Sequence, residues 1–155
     1  MNKTTILQAL LVELENDLRR LQAANEDASS GATHAESRAE TKWDTCGLEA
    51  SYLARGHALQ FKALAANVCE LRAFTIPVYT GQPIGLGALI EVEQGRERMF
   101  FFLLPCGGGV DVTVEGVEVT VITPESPVGA VLLDKKEGDT YSFCAGMSGS
   151  ILSVV

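Results

Sequence analysis

Hydrophobic residues in the first half of the chain recur every three or four positions, which is the period of a helix packed along one face. The pattern forms two seams, one early and one late. The early seam consists of Leu7, Leu11, Leu14, Leu18 and Leu21, and the late seam consists of Phe61, Leu64, Val68 and Leu71. Charged residues such as Glu13 and Arg20 occupy the outer positions of the early segment. The sequence therefore predicts two amphipathic helices before residue 75.

The two seams have the spacing of an antiparallel helical hairpin. When they are paired in opposite chain directions, the two residue numbers of each pair add up to 78 or 79, as for Leu7 with Leu71. This places the chain reversal near residue 39 and predicts an antiparallel coiled coil. One alternative puts the turn at 29–31 with Thr33 as a helix N-cap, which loses the constant sum. Another alternative, a parallel homodimeric coiled coil, is disfavoured by a run of alanine and glycine in the middle of the seam.

The pattern changes after residue 76, where all five prolines are found and apolar residues alternate with polar ones, most strictly in 110–114 and 117–122. Six segments are predicted as strands, and they are 88–93, 98–104, 110–114, 117–122, 140–143 and 151–155. Gln94-Gly95 and Glu115-Gly116 have the composition of hairpin turns. Ser126 and Pro127 are typical of the N-cap and first residue of a short helix. We therefore predict an α+β fold, with a helical hairpin over 1–75 and a small antiparallel β-sheet domain with one short helix over 76–155.

Composition and charge argue against several classes of function, namely duplex nucleic-acid binding, membrane insertion and secretion. The formal net charge is -8, so the chain offers no broad basic face to duplex nucleic acid. The longest apolar run, 99–104, is far shorter than the ~20 residues of a membrane helix, and the first residues do not have the pattern of a secretion signal. We therefore expect a cytoplasmic protein with no membrane partner. The four cysteines are expected to be reduced and mostly buried, and His57 is expected to be a packed or half-buried seam residue.

Three acids near the predicted reversal, Glu36, Glu40 and Asp44, follow one another at spacings of four. On a helix this spacing places their carboxylates on one face, where they repel one another unless a cation or a basic surface meets them. Mg²⁺ takes one or two carboxylates and fills its other positions with water or phosphate oxygens. The alternative is an ordinary solvated helix face, with Arg38 and Lys42 relieving the repulsion.

One stretch of the second half resembles a known family. It reads Ser126-Pro127-Val128-Gly129, then a short helix, then Lys135-Lys136-Glu137-Gly138-Asp139. This stretch is similar to the C-terminal domain of the bacterial Gre transcript-cleavage factors, the GreA/GreB elongation factors. The resemblance implies an FKBP-like β domain that docks at the rim of the secondary channel of RNA polymerase. It also implies that Ser126, Pro127, Val128 and Gly129 contact the polymerase, although a purely structural turn is the equal alternative.

The resemblance extends to the predicted tip of the helical hairpin. The family presents two acids three residues apart, followed by an aromatic residue. Matching Trp43 to the aromatic residue puts Glu36 on the first acid and makes Arg38 the tip arginine, and Trp43 and Arg38 would then contact polymerase or RNA. The second acid falls on Ala39, with Glu40 one position later. A shift of one residue rotates a helical side chain by ~100°, so this departure bears on metal binding.

The function implied by the resemblance is that of a transcription elongation factor. Such a factor is not itself an enzyme, because it stimulates cleavage of backtracked RNA by the polymerase. Glu36 and Glu40 would help to hold a Mg²⁺ ion shared with RNA polymerase, with Asp44 as a supporting charge. We expect a monomer with indirect contact to the nascent RNA. A non-cleaving channel regulator is the alternative that Ala39 favours, and a prolyl isomerase or chaperone is a third interpretation, disfavoured by the low aromatic content.

Overall fold

The structure, a computed structural model, describes the backbone of residues 1–33, 46–143 and 147–155, with side chains except at 27–33, 46–51, 54 and 147. The chain begins with two long helices and continues with strands and one short helix. In chain order the elements are α1 (Lys3–Thr33), α2 (Cys46–Ala73), β1 (Leu89–Gln94), β2 (Glu97–Leu103), β3 (Asp111–Val114), β4 (Val117–Ile122), α3 (Pro127–Leu132), β5 (Thr140–Phe143) and β6 (Met147–Val154). The predicted α+β class is confirmed.

The two predicted helices are present as α1 and α2. Every residue of both predicted seams is buried or half-buried, whereas Glu13 and Arg20 are exposed. The alternative turn at 29–31 is wrong, because α1 continues through these residues to Thr33. The predicted reversal near residue 39 lies outside the described residues, and the antiparallel pairing of the helices stays a prediction. In the described part of the chain, no helix is both long enough and apolar enough to cross a membrane.

The six strands form one sheet in the order β3-β4-β2-β1-β6-β5. The prediction of a purely antiparallel sheet is wrong at one pair, because β2 runs parallel to β4, with Phe101 opposite Thr120. The loop after β2 passes beyond the position of β4 before β3 begins. β4 then returns between β3 and β2, and Leu104 N donates to Ile122 O over 2.9 Å at the end of this parallel pair.

Both predicted hairpins are confirmed, and the first turn consists of Gly95 and Arg96, one residue later than the predicted Gln94-Gly95. β1 and β2 pair up to Gln94 and Glu97, and β3 and β4 pair up to Val114 and Val117. The second turn consists of Glu115 and Gly116, whose φ values are +56° and +80°. Two consecutive positive φ values are typical of the type I′ turn, whose twist matches that of the strands it joins.

The chain divides into two compact units, and each has its own buried residues. One unit comprises Met1–Val12 with Glu70–Val155, and the other comprises Glu13–Cys69. In the first unit, alternate strand residues such as Ile90 and Phe101 join the core beneath α3. Their neighbours Leu89 and Phe102 are also buried and lie on the opposite face of the sheet. The sheet is therefore covered on both faces.

Lys3 fixes the segment that connects α2 to β1. Its ammonium group donates to Pro77 O over 2.7 Å and to Gly87 O over 3.1 Å, and lies 5.2 Å from the centre of the Tyr79 ring. The Tyr79 hydroxyl in turn donates to Leu86 O over 3.0 Å. Partial burial lowers the pKa of Lys3 and raises the pKa of Tyr79. The start of α1 thereby holds the entry to the sheet in place.

Candidate functional site

The Ser126–Gly129 turn begins α3 as predicted. Ser126 is the N-cap, with extended backbone angles of −67° and 146°, and Pro127 is the first helical residue. The Ser126 hydroxyl accepts from Gly129 N over 3.0 Å and donates to Thr123 O over 2.7 Å. The Ser126 side chain therefore supplies an acceptor for a free N–H at the start of α3 and links the helix to the preceding loop.

Gly129 is required by close packing. It is buried, and a Cβ added there would overlap the Thr123 carbonyl oxygen and lie 2.8 Å from the Ser126 hydroxyl oxygen. Because the carbonyl belongs to the backbone, it cannot move aside without displacing the loop. Glycine is therefore needed at position 129 because α3 lies very close to Thr123, the residue whose carbonyl also accepts a hydrogen bond from Ser126.

The second half of the motif, 135–139, forms a tight turn before β5. Asp139 Oδ2 accepts from Lys136 N over 2.8 Å, and Asp139 N donates to Lys136 O over 3.0 Å. Gly138 has a φ of +88°, which favours glycine, and its N–H donates to Ile151 O over 2.9 Å. Asp139 and Gly138 are therefore explained by the turn itself, while Lys136 is exposed.

Both halves of the motif border concave surfaces on the same unit. Val128 lines a concavity of about 400 Å³ whose other apolar residues are Met99, Phe101, Tyr141 and Phe143. Lys135 lines a wider, more polar groove of about 720 Å³, and Tyr141 contributes to both. Burial raises the pKa of Tyr141. The motif thus lies at the edge of two adjoining surfaces, one apolar and one polar.

The four predicted polymerase-contact residues of this turn have different environments. Pro127 is exposed, Ser126 and Val128 are half-buried, and Gly129 is buried. Pro127 and Val128 are the two that face solvent or a concavity, whereas Ser126 and Gly129 stabilise the turn. Whether any of them contacts polymerase stays a prediction.

The predicted tip residues lie outside the described residues. They are Glu36, Arg38, Glu40, Trp43 and Asp44. Within residues 1–33, 46–143 and 147–155, no three His, Cys, Asp or Glu side chains come together as a metal site. The proposed sharing of Mg²⁺ therefore rests on the sequence alone.

Sequence reasoning missed the aromatic concavity. It interpreted 100–102 as a core strand, and Phe101 and Phe102 are indeed buried. It did not pair the alternating Met99 and Phe101 of β2 with Tyr141 and Phe143 of β5. The only available signal was the alternation within each strand, because these strands are separated by β1 and β6 in the sheet.

His57 is half-buried, as expected for a seam residue. Its Nδ1 atom is buried and has no hydrogen-bond partner among the described atoms. The prediction of mostly buried thiols is wrong for Cys69, which is exposed, and Cys106 is half-buried. Burial raises the pKa of Cys106 to about 11, with further contributions from the charge of Glu70 and a hydrogen bond to it. Cys46 and Cys144 lie outside the residues whose side chains are described.

Comparison with known proteins gives a mixed result. No family model matches the chain, and no curated protein sequence matches it. Among solved structures, GreA factor homolog 1 (Gfh1) of Thermus thermophilus aligns over 95% of this chain and 95% of its own, with 19% identity and a TM-score of 0.39. Gfh1 of Thermus aquaticus aligns over 95% and 94%, with 19% identity and a TM-score of 0.38.

A further structure, of the transcription factor Gfh1, aligns over 94% of this chain and 93% of its own, with 20% identity and a TM-score of 0.40. With TM-scores below 0.5 and identities of at most 20%, these likenesses carry no argument about the function of this chain.

Proposed function

We propose that the chain is a bacterial transcription elongation factor of the Gre type, which binds in the secondary channel of RNA polymerase. The observation that carries the proposal is the stretch of residues 126–139, whose sequence resembles that of the Gre factors. In this chain Ser126 and Gly129 fix the start of the motif through a hydrogen bond and close packing, and the motif borders two adjoining concave surfaces. Such a preformed surface suits docking, because little side-chain freedom is lost on binding.

The docking residues that we propose are Pro127 and Val128. Pro127 is exposed at the first position of α3, and Val128 lies at the edge of the apolar concavity. Proline has a fixed backbone and Val128 is packed against the core, so both present apolar surface in one conformation. Lys135 borders the polar groove beside them and would meet an acidic group of the partner.

The chemistry that we propose involves the acids of the segment between α1 and α2. Glu36 and Glu40 would hold a Mg²⁺ ion together with the polymerase, since carboxylate oxygens are the ligands this ion takes in proteins. A Mg²⁺ ion bound there supplies Lewis-acid activation of a water for hydrolysis of the RNA backbone. On this proposal the chain is not an enzyme by itself, and Glu36 is the first acid, Glu40 the second and Asp44 a supporting charge.

The proposal is tested with purified chain and backtracked elongation complexes. We expect the nascent RNA to be shortened from its 3′ end in the presence of Mg²⁺, and the double variant Glu36→Ala/Glu40→Ala to lose this activity. The matched control is Glu13→Ala/Glu118→Ala, which removes two exposed acids elsewhere and should leave shortening unchanged. Equal shortening by the tip variant and the parent would show that the assigned acids do not act in the reaction.

A second candidate, favoured by Ala39, is a channel regulator that binds polymerase without cleavage. Ala39 stands where the Gre motif has its second acid, and alanine has no ligand atom for a metal. This candidate predicts that the chain alters elongation or blocks it while the RNA keeps its length. The same experiment therefore separates the two candidates.

The third interpretation, a prolyl isomerase or chaperone, has one observation in its favour. The apolar concavity contains the three aromatic residues Phe101, Tyr141 and Phe143, which is the kind of lining that binds a proline ring. An isomerase assay on a proline peptide tests it directly. A Tyr141→Ala/Phe143→Ala variant without activity, beside an active parent, would establish that function.

A further inference from the structure

The outer side of α2 carries a second apolar seam. Tyr52, Gly56, Leu59, Ala63 and Ala66 follow one another at spacings of four and three, as in a heptad repeat. At 3.6 residues per turn, this seam lies on the side of α2 away from the late seam. We call these five residues the outer seam.

Four of the five residues of the outer seam are exposed, and Gly56 is half-buried. Tyr52 is 66% exposed and Leu59 is 61% exposed, and Ala63 and Ala66 are exposed as well. A helix that is apolar on all sides is normally buried, and a contiguous exposed apolar surface marks a site of interaction. The late seam of α2 is buried or half-buried, whereas none of the described residues covers Tyr52 or Leu59.

Gly56 is a second, independent indication. Glycine in the middle of a helix costs stability relative to alanine. At Gly56 the fold does not require it, because an added Cβ would meet no atom within 4 Å and the backbone is not left-handed. A glycine between Tyr52 and Leu59 leaves a notch in the outer seam, and a notch of this kind lets the backbone of another helix approach closely.

The charges beside the outer seam indicate whether its partner is a second copy of the chain or a helix of another protein. Arg55 and Lys62 are exposed along one flank of the outer seam, and the other flank has the neutral Gln60 and Asn67. No acidic residue lies between 52 and 69, although the whole chain has a net charge of -8. In an antiparallel pair of two copies the basic flanks would meet and repel, and in a parallel pair the basic flank would meet a neutral one.

We propose that the outer seam docks a helix of RNA polymerase that has apolar residues along one face and carboxylates along one border. This inference rests on the proposed function, since it names a contact surface within that complex. Docking would bury Tyr52 and Leu59, seat the partner backbone over Gly56, and pair Arg55 and Lys62 with the carboxylates.

The test is a binding titration of the full chain, labelled with fluorescein at its N-terminus, against bacterial RNA polymerase core enzyme. We expect Gly56→Gln, Leu59→Gln and the pair Arg55→Glu/Lys62→Glu each to raise Kd at least tenfold. Glutamine favours helix, and its Cβ would meet no atom within 4 Å at position 56, so we expect folding to be preserved and verify it by far-UV circular dichroism. Val12→Gln is the matched control, because Val12 is 57% exposed on α1, and its Kd should stay within twofold of the parent.

The outcomes separate the two proposals. If the parent does not bind polymerase, the proposed function and this inference both fail. If the parent binds and the three outer-seam variants bind as tightly, only this inference fails. Tighter binding by the Arg55→Glu/Lys62→Glu pair, or a dimer in sedimentation that Leu59→Gln dissociates, would also overturn it, because the occupant would then be basic or a second copy.

Discussion

Replacing Gly129 with alanine tests whether close packing fixes the motif turn. In an ordinary helix this substitution stabilises, by about 0.5–1 kcal/mol, because alanine loses less conformational freedom on folding. At Gly129 the added Cβ overlaps the Thr123 carbonyl oxygen and comes within 2.8 Å of the Ser126 hydroxyl oxygen. The expected sign is therefore reversed.

The magnitude follows from two opposing effects. Overpacking a buried site costs about 1–3 kcal/mol, and the gain in helix preference returns up to about 1 kcal/mol of it. We expect a net loss of about 1–2 kcal/mol, which is a substantial part of the stability of a small unit. The loss should be concentrated in α3 and the Thr123 loop, because that is where the backbone must move.

The measurement is hydrogen exchange read by mass spectrometry, which reports the stability of each element separately. Gly129→Ala should speed exchange in α3, and Gly56→Ala, the matched control in open space, should slow exchange in α2. A Gly129→Ala variant that exchanges more slowly than the parent would refute the claim that Thr123 and Gly129 are in tight contact.

Three further predictions concern single side chains. Ser126→Ala should destabilise the β unit by about 1 kcal/mol in urea unfolding, because the N-cap is lost, and Ser126→Asp should restore most of it. Lys3→Met should cost about 1–2 kcal/mol through the loss of two charged hydrogen bonds, with unchanged stability contradicting the anchoring role. At pH 8 the Cys106 thiol, with its pKa raised to about 11, should react with iodoacetamide far more slowly than exposed Cys69, since about one molecule in a thousand carries the thiolate. Glu70→Gln removes a charge that raises this pKa and should accelerate Cys106 labelling, and an unchanged rate would exclude that charge as a cause.

The local elements of the fold were predictable because each depends on residues close in sequence. The hairpin turns at Gly95-Arg96 and Glu115-Gly116 and the start of α3 at Ser126 all follow from short-range backbone preferences. The parallel pairing of β2 with β4 was not predictable in the same way. Alternation tells which face of a strand is buried and does not tell which strand lies beside it.

In the candidate site, too, the local features could be predicted from the sequence and the long-range contacts could not. The cap formed by Ser126 was predicted from the Ser-Pro pair, whereas the need for Gly129 depends on how near α3 comes to Thr123 in three dimensions. The apolar concavity brings together residues of β2 and β5, which are far apart in sequence. Long-range proximity of this kind leaves no trace in the local pattern. The outer seam of α2 is a pattern in the sequence, but only its exposure distinguishes it from a second core face.

The central claim is that RNA polymerase is the partner and that the acids near residue 40 reach its active centre. A photoactivatable amino acid placed at position 40 in one variant and at position 127 in another, followed by mass spectrometry of the complex, tests it most directly. We predict that position 40 cross-links to polymerase segments at the catalytic centre and position 127 to the outer rim of the secondary channel. Cross-links from position 40 to the outer surface alone, or none from either position, would contradict the account.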